Sequence, residues 1–350
     1  MEVYSSVNAT EAATPWKADN NLDLAVDDAS DLVIDHSESD YSDVSLDVVR
    51  IRDRIIALFN GRGNGESGRG PSIMARVKDE LEEISLSRSI SVRPAQPRDL
   101  SRLVEVDMLA FKSVYRHYDK PLDELKAELL DKFRGRFDKV GSDWITVLEK
   151  EKQVIGFLMA CPTNKAPEDF VSWENNTDNG TLESTYVPNG KYIFIVSLSV
   201  LREGSNLDGQ NMLALEFISK ITAQDYLAYF ESRVPGMKRW VQHKCAQDNI
   251  RFSELTPEQE RSYADEYFIN NVIKGQYNDP LLRLYHDIGC RFVKLVPNAY
   301  QDELSLNYGV VATIQSPLPD YLQTIPAARK LVAKAMSTAS RSMWLTRKVI

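Results

Sequence analysis

At 350 residues and 43% hydrophobic content, the chain has apolar material for a sizeable core, as one large domain with extensions or two modest ones. Its net charge of −9 is uneven, residues 1–50 holding twelve Asp or Glu against Lys17 and Arg50, and no concentrated basic surface remains that would make nucleic acid the main partner. No run reaches the roughly 18 apolar residues of a membrane span, and the start has neither a basic leader nor an apolar h-region, so the expected location is cytoplasmic.

Residues 1–44, rich in Asp, Ser and Asn, read as a flexible acidic tail. A helical arm is expected over 45–89: SLDVVRIRDRIIALF places Val48, Ile51, Ile55, Ile56 and Phe59 on one side, and SIMARVKDELEEISL supplies a second helix after a Gly-rich break. SISVRPA then reads as a strand. PRDLSRLVEVDMLAF reads as a helix with Leu100, Leu103, Val106, Leu109 and Ala110 inward, and LDELKAELLDKFRGRF as another. DWITVLEKE and QVIGFLMACP form a hairpin, and YIFIVSLSVL is a β-branched central strand whose following loop opens the helix QNMLALEFISKI. The stretch from about 220 to 275 reads as an insertion, DPLLRLYHDIG as a helix stopped by Gly289, and RFVKLVP and YGVVATI as closing strands. Over 316–350 the sequence predicts a basic helix, six Lys or Arg lying between Arg329 and Lys348 with Leu331, Ala335, Ala339 and Met343 spaced by four. Such a helix suits an anionic membrane, an acidic carrier protein, the acidic tail, or simple packing on the domain. Cys161, Cys245 and Cys290, with four dispersed histidines, show no disulfide framework or zinc spacing, and Cys161 and Cys290 read as small buried hydrophobes.

The order of elements over 90–315 resembles the GNAT N-acetyltransferase superfamily. ISVRPAQPRDLSRLVEVDMLAF is similar to its first strand and helix, and LLRLYHDIGCRF carries its Leu-Tyr-x-x-x-Gly pattern. The succession SYADEYFINNVIKGQYNDPLLRLYHDIGCRF and VPNAYQDELSLNYGVVATI, with the turn SRVPGMKRW, resembles most a bacterial subgroup often fused to carbon-nitrogen hydrolases. The resemblance implies an α/β fold with a mixed central sheet flanked by helices, and transfer of an acyl group, acetyl in the simplest case, from acyl-CoA to an amine-bearing small molecule or peptide. The scattered cysteines and histidines lead to the expectation of no metal.

It also places functions on residues. The family's pyrophosphate loop falls on Asn206, Gly209, Gln210 and Asn211, where backbone N–H groups at a helix N-terminus suit an anion. Asn206, Asp208 and Asn211 depart from the family's Arg or Gln and its small residues. Ser197, Leu198, Ser199 and Val200 fall where the family's strand backbone pairs with the pantetheine arm. Tyr285 takes the position of the phenol that protonates the departing thiolate, whereas His286, next to it on the helix, points elsewhere. Ser197 stands where the subgroup often has a glutamate base, leaving Glu183, Glu266, Asp265 and Asp302 as substitutes. Two other readings stay open: a GNAT-fold binding module that has lost catalysis, and an acyltransferase taking long-chain groups from an acyl carrier protein.

Overall fold

A computed structural model describes residues 90–346 apart from 116–118, 202–208, 274, 276–278 and 300–301. The acidic tail, the helical arm and Asn206 of the expected phosphate loop lie outside the described residues.

The chain enters through β1 (Ile90–Pro94) and turns by a 3-10 segment at Pro97–Asp99 into α1 (Leu100–Ala110). Then come α2 (Lys112–Tyr115), α3 (Leu122–Val140), β2 (Ile145–Lys150) and β3 (Gln153–Thr163). The β2–β3 turn is Glu151 and Lys152, with φ of 51° and 70°, the positive-φ pair that matches the twist of a tight hairpin. After α4 (Trp173–Thr177) the order is β4 (Tyr192–Val200), α5 (Gly209–Gln224), β5 (Leu227–Arg233), α6 (Met237–Gln247) and α7 (Pro257–Phe268). The chain closes with α8 (Pro280–Asp287), β6 (Arg291–Val296), β7 (Gly309–Ile314), α9 (Asp320–Gln323) and α10 (Pro326–Thr346).

Seven strands form one sheet in the order β1-β2-β3-β4-β5-β7-β6, antiparallel except for the parallel pair β4–β5. Alternate strand residues feed two cores. Val147, Phe157, Phe194 and Tyr229 pack with α1 and α3 on one face. Leu148, Leu158, Ile193 and Ala228 pack with α5 and α10 on the other. This is the mixed central sheet flanked by helices that the resemblance implied.

Two sequence expectations change. β5 lies inside the stretch taken for an insertion: LAYFESR ends in Glu231, Ser232 and Arg233, polar residues that hide the alternation of a strand central to the sheet. On α1, Leu109 is 48% exposed and Ala110 is also outward, while Val104 and Asp107 join Leu100, Leu103 and Val106 inside. The inward stripe therefore includes Leu100, Leu103, Val104 and Asp107, the spacing of a regular helix, with a carboxylate at its end.

The C-terminal basic helix packs on the domain through α5. Among the residues whose side chains are described, the buried ones are Val332, Ala333, Met336 and Ser340, one step around the helix from the stripe expected at Leu331, Ala335 and Ala339; the Met343 side chain lies outside them. Ser337 and Ser340 both donate to Glu216 Oε2 of α5, at 2.7 and 3.1 Å. Glu216→Ala is expected to cost about 2 kcal/mol, since hydrogen bonds to a charged group lie in that range, and to speed amide hydrogen exchange in α10 before the sheet. Unchanged exchange in α10 would mean that its apolar contacts alone hold it.

Candidate functional site

The parallel pair β4–β5 is short. Its register runs from Tyr192↔Leu227 to Phe194↔Tyr229 and then stops, although both strands continue. The rings of Phe194 and Tyr229, 5.1 Å apart, close the apex on one face. Past them β4 has lost its neighbour on that side. Leu198, on an inner strand of the sheet, is 38% exposed.

A bulge sits just past the apex. The β3–β4 register passes from Met159↔Ser197 to Ala160↔Ile195, leaving Val196 unpaired. Such an extra residue shifts the alternation by one. Phe194 and Val196 face α1, and beyond the bulge the same face is continued by Ser197 and Ser199 rather than by Leu198. The Val196 carbonyl accepts from the Trp173 indole N–H of α4 at 2.9 Å.

What the two serines meet is Asp107. Ser197 Oγ and Ser199 Oγ each donate to Asp107 Oδ1 at 3.1 Å, and lie 3.0 Å from one another. Tyr115 donates to Asp107 Oδ2 at 2.6 Å. Burial pushes the Asp107 carboxyl above its ordinary range, opposed by the Tyr115 bond, the charge of Arg136 and the serine bonds. Arg136 of α3 is itself 4% exposed. Its Nε donates to the Gly180 carbonyl, and its guanidinium lies 4.9 Å from the Phe133 ring centroid and 5.7 Å from that of Trp173. Burial lowers its pKa, while Asp107 and Tyr115 raise it. Asp107 and Arg136 were missed in the sequence. Each is a charged residue on the apolar stripe of its helix, and the opposite signs on neighbouring helices were the available signal.

Tyr285 lies on the other face, that of Val200, at the β5 side of the seam. Its ring packs edge-on against Phe230 at 4.9 Å, and its oxygen accepts from Ser232 Oγ at 3.2 Å. The Asp-Pro and Pro-Gly positions of the resemblance prove to organise this corner. Asp279 caps α8 by accepting from Leu281 N and Leu282 N, and also accepts from Gly236 N and the Tyr267 hydroxyl. Gly236 must lack a side chain, because a Cβ there would meet Tyr267 Oη at 2.6 Å and Asp279 Oδ2 at 3.0 Å. Arg233 at the end of β5 grips Asp302 through Nε and Nη2 at 2.9 and 3.1 Å, and Ser305 joins Asp302 to the Val234 N–H.

The other proposed bases are engaged elsewhere. Glu183 pairs with Lys139, Glu266 with Lys244, Asp265 with Arg261 and Asp302 with Arg233. Cys161, Cys245 and Cys290 are buried, and burial pushes the Cys161 thiol up to about 12. At the expected phosphate loop, Gly209, Gln210 and Asn211 form the first turn of α5. Asn211 is 5% exposed, so its side chain is turned in from solvent, and its Nδ2 has no hydrogen-bond partner among the described residues.

No family model matches the chain. YkwB, an uncharacterized N-acetyltransferase of Bacillus subtilis strain 168, is 25% identical over 160 residues, which are 45% of this chain and 62% of that protein. The chain thus spans less than two thirds of that relative. Among solved structures, the loading GNATL domain of CurA from Lyngbya majuscula aligns with a TM-score of 0.43 and 17% identity, over 65% of this chain and 97% of that one. The GphF GNAT-like decarboxylase in complex with isobutyryl-CoA aligns with a TM-score of 0.43 and 18% identity, over 65% of this chain and 99% of that one.

Proposed function

We propose that the chain is an N-acyltransferase that moves an acyl group, acetyl in the simplest case, from the pantetheine thioester of acyl-CoA to a primary amine. The observation that carries this reading is the seam that opens between β4 and β5 past Phe194 and Tyr229. It leaves the edge of β4 from Ile195 to Val200 unpaired by β5, a backbone edge that an extended pantetheine amide chain pairs with as an added strand would. The bulge at Val196 breaks the ladder where the thioester would lie, and main-chain N–H groups there suit a developing oxyanion.

The remaining parts follow. Pyrophosphate goes to the first turn of α5 at Gly209, Gln210 and Asn211, where the helix dipole favours an anion. Tyr285 gives its proton to the thiolate, and the Ser232 hydrogen bond steadies the phenolate left behind. The name of the Bacillus relative, an N-acetyltransferase, points the same way. A carrier protein presents the same acyl-pantetheine, so the seam accommodates either source.

Calorimetric titration with CoA and acetyl-CoA tests the reading, beside a Gly209→Trp variant that fills the buried first turn of α5. Binding by the native chain that is lost in the variant is the expected result. Turnover with an acyl carrier protein but no affinity for free CoA would assign the donor to the carrier. No binding and no turnover with either would overturn the proposal.

A further inference from the structure

We infer that Asp107 is the proton acceptor of the transfer reaction, reached through the hydroxyl of Ser197, and that it replaces the strand carboxylate that position 197 lacks. The inference rests on the acyltransferase reading and deepens it by naming the base.

The geometry sets the route. Ser197, past the bulge, is the more open of the two serines, while Ser199 is 1% exposed and Asp107 6%. A carboxylate buried to that degree is cut off from a bulky acceptor, yet it is one hydrogen bond from a hydroxyl on the strand that borders the seam. Ser197 already donates its proton toward Asp107 Oδ1, the direction in which a relay must run. Among the described residues, the titratable or charged groups facing Asp107 are Tyr115, which donates to Oδ2, and Arg136, whose positive charge favours the ionised, proton-accepting form. Burial raises the carboxyl's affinity for a proton, and the Tyr115 bond, the charge of Arg136 and the serine bonds oppose that rise.

The step balances as follows. An ammonium acceptor bound over Ser197 passes one proton to Ser197 Oγ as the Ser197 proton moves to Asp107. The neutral amine's lone pair forms a C–N bond to the thioester carbon. The C–S bond breaks as the tetrahedral intermediate collapses, the second amine proton reaching the thiolate by way of Tyr285. Products are the amide and free thiol, and Asp107 returns its proton to solvent through Ser197.

Two acceptor types separate a base from a structural tie between α1 and β4. Primary alkylamines are protonated at pH 7 and need a base, whereas hydroxylamine is already neutral and does not. With acetyl-CoA as donor, Asp107→Asn and Ser197→Ala are expected to slow transfer to a panel of alkylamines by about 100-fold or more, in line with general-base contributions. Transfer to hydroxylamine should stay within about threefold, and Ser197→Thr, which keeps the hydroxyl, should restore alkylamine transfer. Ser197→Ala covers the case in which Asp107→Asn does not fold, because Tyr115 and Ser199 still hold Asp107 in that variant. Equal loss with both acceptor types, or none in Ser197→Ala, overturns the assignment of the base and leaves the acyltransferase reading standing. Native protein that transfers to neither type overturns both.

Discussion

Asp279→Ala is expected to lose about 3–5 kcal/mol of stability, the cost of stranding several buried donors at once, with Tm falling on the order of 10 °C. Asp279 is fully buried and serves three elements. It caps α8 through two backbone N–H groups, holds the turn into α6 through the Gly236 N–H, and takes the hydroxyl of Tyr267 from α7. Removing it strands the Leu282 N–H and the Tyr267 hydroxyl in the interior and takes the acceptor from the half-buried Leu281 and Gly236 N–H groups. Because α8 carries Tyr285, the loss should reach the seam. At low temperature the variant should still fold, with Tyr285 less firmly placed. Equilibrium unfolding in urea measures the first effect, and a loss under about 1 kcal/mol would show that a solvated rearrangement replaces the network.

The Asp-Pro position of the resemblance thus reads physically as a cap and a clamp, not as chemistry. The parts of the fold legible in the sequence were those written in simple periods: the hairpin with its charged turn, the β-branched strand β4, and the apolar stripes of the helices. β5 was hidden because its last residues are committed to partners rather than to core. Ser232 serves Tyr285, and Arg233 serves Asp302.

Of the candidate site, the sequence predicted the elements that carry it. Strand β4 and the start of α5 lie where the resemblance placed them, but the facing of Ser197 and Ser199 depends on a one-residue bulge that alternation cannot reveal. Read as a regular strand, Ser197 and Ser199 would share the face of Ile193 and Ile195. The bulge sends them to the opposite face, and there Asp107, 90 residues earlier in the chain, meets them. An acid on an apolar helical stripe is a usable signal only when the opposite charge is sought on the neighbouring helix.

That charge is Arg136, and replacing it gives the second large effect. Arg136→Met keeps the length of the side chain and its packing on Phe133 and Trp173 but removes the positive charge facing Asp107. Losing the charge that favours the Asp107 carboxylate, together with the bond to the Gly180 carbonyl, is expected to cost about 1–3 kcal/mol near pH 8. The sign with pH follows from the direction of the Asp107 shift. Its folded pKa is raised, so the stability it contributes is fully present below the unfolded value, about 3.9, and is lost as pH rises through the folded value. Arg136 limits that loss by favouring the carboxylate. Without it the folded pKa climbs further and the loss deepens, so the variant's penalty should be small near pH 4 and grow toward pH 8. A constant part remains at every pH, from the lost bond to the Gly180 carbonyl. In an Asp107→Asn background the growth with pH should vanish, because no charge is left to strand. Denaturant unfolding of the four members of this cycle across the pH range measures the coupling directly. A penalty that does not change with pH would show that Arg136 holds α3 and α4 together by packing, and that Asp107 keeps its charge by means of Tyr115 and the two serines alone.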